Sequence, residues 1–129
     1  VLVDTNVISE LVRPSPNVKV LAWAKRETRF HLSVVTVEEV LFGLASKPNP
    51  AIEGWFSRFV ERHCDVLPIT VDVADWCGRT RGRLRLQGKQ RTQADMFIAG
   101  TAFAHGLVIA TRNTRDFLGC GVRVLNPFA

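Results

Sequence analysis

The chain has 129 residues, 47% of them hydrophobic and 22% charged, with a net charge of +5 and a pI near 9.7. This composition argues against disorder, and the length suits a single domain, residues 1–129, that needs no disulfide or structural metal to complete its core. No apolar run reaches bilayer length, Val1-Leu2-Val3-Asp4 turns polar too soon for a signal peptide, and Cys64, Cys77 and Cys120 form no Cys-x-x-Cys pair, which fits a reducing cytoplasm rather than a zinc or disulfide framework.

Val1-Leu2-Val3 reads as a buried strand ended by Asp4, followed by a helical stretch through Leu11. Asn17, after the turn Pro14-Ser15-Pro16, is placed to cap a helix over Val18–Arg26. Phe30 to Ser33 reads as a second strand, Thr36 to Ala45 as a helix, and Ala51 to Arg62 as an amphipathic helix with Ile52, Trp55, Phe56 and Phe59 on one face. A third strand is expected over Asp65–Ile69, a helix over Val71–Leu86 and an unusually apolar helix over Thr92–Ala104. Leu107 to Ala110 is a fourth strand, and Gly121 to Leu125 leads into a fifth. Strands alternating with helices predict an α/β fold with a mainly parallel sheet covered by helices on both faces. Ligands of such folds sit beyond the carboxyl ends of the strands.

Four carboxylates follow strands or open the helices after them. Asp4 closes the first strand, where it could also serve as a helix cap. Glu39 lies three residues after Thr36, the spacing of a capping box, and capping is the local expectation. By the same pattern Val37, Val40 and Leu41 mark the buried face, Glu39 its edge and Glu38 the solvent side. Asp95 is the only charged residue between Thr92 and Ala104, and an unpaired carboxylate in such company costs several kcal/mol unless a cation or donors meet it. Asp116 follows the fourth strand, one turn after Asn113. Carboxylates crowded at one sheet edge repel one another, and a divalent cation resolves the conflict. Oxygen ligands without nearby His or Cys suit Mg²⁺ or Mn²⁺, ions that activate water and stabilise the leaving oxygen of a phosphodiester.

The motifs Val3-Asp4-Thr5-Asn6, Ser33-Val-Val-Thr36-Val-Glu38-Glu39, Gln93-Ala94-Asp95 and Thr111-Arg112-Asn113-Thr114-Arg115-Asp116 stand in an order and spacing that resemble a PIN domain, specifically the VapC and FitB toxin ribonucleases. The resemblance spans essentially the whole chain. It implies a PIN-like three-layer α/β/α fold with a central sheet of about five short strands. It implies Asp4, Glu39, Asp95 and Asp116 as catalytic metal ligands, with the fourth position open between Asp116 and Asn113. Thr5, Asn6, Thr111 and Asn113 would hold the carboxylates or a water in place. The implied activity is hydrolysis of single-stranded RNA by a water activated by Mg²⁺ or Mn²⁺. The implied partners are RNA, a cognate protein antitoxin, a second copy of the chain, and DNA only through the antitoxin. A catalytically silent nucleic-acid- or partner-binding module is the alternative, kept open by Asn113.

Arg79, Arg81, Arg83, Arg85, Lys89 and Arg91 run together with no acid between them and lead into the helix of Asp95. They are expected to contact RNA phosphates, as is Arg112, although a solvated helix face would account for such a run too. Trp23, Trp55, Phe56 and Phe59 are expected in the core, with helices near the amino terminus and around 51–62 forming an antitoxin groove by resemblance. His31, His63 and His105 are scattered and read as structural. A dehalogenase-like phosphatase would need a second Asp where Asn6 stands. A receiver domain would need an acceptor Asp and a Lys where Thr70 and Thr111 stand.

Overall fold

The structure, a computed structural model, describes residues 1–129. Five parallel strands form one sheet in the order β3-β2-β1-β4-β5: β1 (Leu2–Val3), β2 (Phe30–Ser33), β3 (Cys64–Leu67), β4 (Ile109–Ala110) and β5 (Val124–Leu125). The helices are α1 (Thr5–Leu11), α2 (Val18–Arg26), α3 (Val34–Ser46), α4 (Pro50–His63), α5 (Val71–Leu86) and α6 (Gln93–His105). A 3-10 turn covers Thr114–Phe117. No helix is long and apolar enough to cross a membrane.

Alternation along the strands divides the core into two layers, because successive side chains leave opposite faces of a sheet. Val3 and Ala110 pack with Val7, Val20, Trp23, Phe56 and Phe59 from α1, α2 and α4. Leu2 and Ile109 pack with Cys77, Leu84, Met96, Ile98 and Ala102 from α5 and α6. Helix α3 serves both, through Val37 and Val40 on one side and Val35 on the other. The expected aromatic core is therefore present, with Trp55 half-buried and stacked on Phe59 at 4.9 Å.

Several boundaries move for local reasons. Strand β3 stops at Leu67 rather than Ile69, ahead of Pro68, which has no N–H to give a ladder. Strand β4 is confined to Ile109–Ala110, since β1 offers only Leu2 and Val3 as partners. Helix α3 begins two residues earlier than Thr36, because the Ser33 hydroxyl accepts from Val35 N and makes Ser33 the cap. The capping box expected of Thr36 and Glu39 is thus absent: Thr36 lies inside the helix, its buried hydroxyl without a partner. Leu41 is another correction, being 45% exposed beside Phe42 at 67%.

Strands β2 and β3 extend the sheet to one side of β1, whereas β4 and β5 extend it to the other. The crevice between the carboxyl ends of β1 and β4 is the point where the winding reverses, and open α/β sheets bind their ligands there.

Candidate active site

Asp4 leaves the end of β1 into that crevice and Thr111 leaves the end of β4 beside it. Asp4 is the N-cap of α1, its Oδ1 accepting from Thr5 N at 2.8 Å. Its Oδ2 accepts from Thr111 Oγ1 at 2.7 Å and from Asn6 Nδ2 at 3.2 Å. Capping and site-building are therefore divided between its two oxygens. Thr111 Oγ1 also accepts from Asn6 Nδ2 and from Asn113 N, and Asn6 Oδ1 accepts from Arg112 N. Six residues that follow the ends of two strands, Asp4, Thr5, Asn6, Thr111, Arg112 and Asn113, are thereby tied into one network.

Thr5 Oγ1 donates to Glu39 Oε1 at 2.8 Å, which joins α3 to the same corner. Released from the capping box, the Glu39 carboxylate faces α1 instead of its own helix end. Asp95 sits in the first turn of α6, whose cap Thr92 accepts from Asp95 N at 3.1 Å.

The charges of the four carboxylates act on one another. Burial pushes the Asp95 carboxyl up from its ordinary value, Thr92 opposes the rise, and the charges of Asp4, Asp116 and Glu39 add to it. Burial also raises the Asp4 carboxyl against its hydrogen bonds from Thr111, Thr5 and Asn6, and the charge of Asp116 adds to the rise. Asp116, exposed in the 3-10 turn, is thus the fourth carboxylate whose charge reaches the group. Asn113 contributes its backbone N–H to Thr111 and caps nothing with its side chain.

The donor chemistry fits a hard divalent cation: carboxylate oxygens, two of them disfavoured as isolated anions, with no His or Cys among them. No three acidic, His or Cys side chains close into a ready-made coordination shell. That spread suits an ion such as Mg²⁺, which keeps several waters and takes one or two carboxylates directly.

The basic residues separate into distinct groups. Arg79 pairs with Asp75 one helical turn away, and Arg83 donates to Gly119 O. Arg81, Arg85 and Arg91 line a cavity of about 470 Å³ together with Gly78, Gly82 and Gln90. Lys89 is exposed on the loop before α6. Arg112 lies over the Phe128 ring, 4.2 Å from its centroid. Gly78, Gly82 and Gln90 were not expected at a site, although the glycines and arginines at 78, 81, 82 and 85 follow a helical face and could have been read as one. Elsewhere, an apolar groove of about 210 Å³ runs between α1, α3 and α4, lined by Ile8, Val12, Val40, Ile52 and Phe56, with Glu39 and Thr5 also on its wall.

Comparison with known proteins agrees with this fold. The PIN domain family pattern matches residues 1–118. VapC ribonuclease Y4jK of Sinorhizobium fredii is 36% identical, the alignment covering 99% of this chain and 97% of that protein. Toxin FitB of Neisseria gonorrhoeae is 35% identical over 99% of this chain and 98% of its own. The crystal structure of FitAcB from Neisseria gonorrhoeae superposes with a TM-score of 0.84 at 35% identity, covering 98% of this chain and 97% of the other. The chain belongs to the PIN domain family.

Proposed function

We propose that this chain is an endoribonuclease toxin of a toxin–antitoxin pair, dependent on Mg²⁺ or Mn²⁺. The observation that supports the reading is that burial disfavours Asp4 and Asp95 as bare anions, with the charges of Asp4, Asp116 and Glu39 adding to the effect at Asp95.

Asp4, Glu39 and Asp95 would hold the metal, one or two of them directly and the rest through its waters, with Asp116 completing the acidic rim. A bound divalent ion supplies an activated water and charge stabilisation on the phosphodiester. The chain's own residues do the rest. Thr111 and Asn6 fix one Asp4 oxygen while the Thr5 N–H fixes the other, so this carboxylate cannot rotate away. Thr5 Oγ1 on α1 orients Glu39 on α3. Such supporting hydrogen bonds set the aim of metal-binding carboxylates. Arg81, Arg85, Lys89 and Arg91 supply positive potential that draws a polyanion towards an otherwise acidic mouth.

The α1–α3–α4 groove is the proposed seat of a protein antitoxin. Because Glu39 and Thr5 belong to both the groove and the acidic site, a segment filling the groove would press on a carboxylate needed for cleavage. DNA would be reached only through that antitoxin. Self-association would use the exposed face of α3, where Val34, Leu41 and Phe42 point to solvent.

The test is brief expression without antitoxin, followed by mapping of new 5′ ends in cellular RNA. Discrete new ends, absent with Asp95→Asn, are expected. No new ends with the folded wild-type chain, and none with purified protein and Mg²⁺ or Mn²⁺, would sink the proposal.

A further inference from the structure

Helix α5 turns a face made of Gly78, Arg81, Gly82 and Arg85 towards Gln90 and Arg91 on the loop before α6, and the space between is the 470 Å³ cavity. No hydrophobic side chain lines it. Neither Arg81, Arg85 nor Arg91 is in an ion pair. The Nε atoms of Arg81 and Arg91 are buried without a hydrogen-bond partner. Arg91 spends its Nη1 and Nη2 on the carbonyls of Gln90 and Leu118, whereas Arg81 and Arg85 on the cavity wall keep their terminal donors free, and a guanidinium with free donors is suited to an anion.

The glycines point the same way. Interior helical glycine costs about 1 kcal/mol relative to alanine. At Gly78 and Gly82 a Cβ would meet nothing within 4 Å, so packing does not demand their absence of a side chain. What both positions share is the cavity wall. Glycine there leaves the helix surface bare between arginines and keeps the cavity open.

We infer that the cavity walled by Arg81, Arg85 and Arg91 is a second phosphate subsite, which takes a backbone phosphodiester of single-stranded RNA outside the acidic pocket. The assignment of RNA rests on the ribonuclease reading. An acidic protein segment is the less suitable occupant, since protein interfaces centre on apolar and aromatic contacts that this cavity lacks. Arg91 precedes Asp95 by four residues, so the two Cα atoms are at most about 14 Å apart and one strand can engage both sites. Arg91 also donates to Leu118 O at 3.1 Å, which ties the cavity wall to the turn carrying Asp116.

The experiment measures binding of a labelled oligouridylate to the full chain in EDTA, across about 50 to 200 mM salt. Each lost phosphate contact flattens the salt dependence by about 0.7 in log–log slope, or about 2.6-fold in affinity over that range. Arg81→Gln and Arg85→Gln should each flatten it, Arg81→Lys should restore it, and Arg26→Gln, exposed on α2, should match wild type. Gly82→Gln should melt higher than wild type yet bind RNA more weakly, opposite changes that a purely structural role would not produce. Unchanged slopes in folded Arg81→Gln and Arg85→Gln would overturn the subsite. So would polyglutamate binding as tight as oligouridylate and lost in the same variants, which would give the cavity to an acidic protein segment. RNA cleavage is scored separately with metal: cleavage with unchanged slopes removes the subsite alone, whereas flattened slopes without cleavage keep the subsite and remove the ribonuclease.

Discussion

Thr111 Oγ1 donates to Asp4 Oδ2 across 2.7 Å, and both residues are buried. The bond joins the carboxyl ends of β1 and β4, 107 positions apart in the chain. Thr111→Val keeps the shape and removes this donor, together with the acceptor used by Asn6 and Asn113. Loss of a hydrogen bond to a buried group costs about 1–3 kcal/mol, and loss of a supporting partner at a metal site costs about 10–100-fold in activity. Denaturant melts and RNA cleavage should report both effects, with Thr111→Ser close to wild type.

Asp4→Asn and Asp95→Asn should each abolish cleavage and leave a folded protein. Mg²⁺ at a hundred times its dissociation constant stabilises a native-state binder by about 2.7 kcal/mol. That rise in melting temperature should appear in the wild type, vanish on addition of EDTA, and be missing from both variants. Full activity in either variant would remove its carboxylate from the site.

The raised Asp95 carboxyl has a consequence for stability in EDTA. A carboxyl whose folded pKa lies above its unfolded value takes up its proton more readily when folded. The penalty of its charge is therefore complete above the folded pKa and fades as pH falls through it towards the unfolded value near 3.9. Asp95→Asn should accordingly melt above wild type at neutral pH, the gap closing as the medium becomes acidic. Asp65 works in the other sense, its carboxyl held low by Arg29, so that contribution is lost on acidification. Melting curves of wild type and Asp95→Asn across that pH range would check the sign.

The start of α3 separates two residues that look alike in sequence. Ser33→Ala removes the cap and should cost about 1 kcal/mol. Thr36→Val replaces a buried hydroxyl without a partner, so it should be neutral or stabilising. The reverse ranking in denaturant melts would restore Thr36 as the cap.

Much of the architecture is local and therefore legible along the chain. Asn17 caps the helix it precedes, and Val71–Leu86 keeps its anticipated bounds, because periodicity and caps act within a few residues. Strand ends were less legible, since a two-residue strand such as β4 exists only through its ladder with β1. The local expectation that Glu39 closes a capping box failed for a similar reason. The partner of Glu39 is Thr5, and no spacing within α3 announces a hydroxyl from another helix.

The sequence by itself determined the fold class and the family, and singled out the acidic residues proposed for the site, through four motifs each written in a short contiguous stretch. Tertiary structure decided how those residues meet. The charge of Asp116 reaches Asp4 and Asp95 while Asn113 gives its backbone N–H to Thr111, Arg79 pairs with Asp75, and Arg81, Arg85 and Arg91 are left around one cavity. Desolvation and charge repulsion depend on distances between segments far apart in the chain, which a linear pattern does not carry.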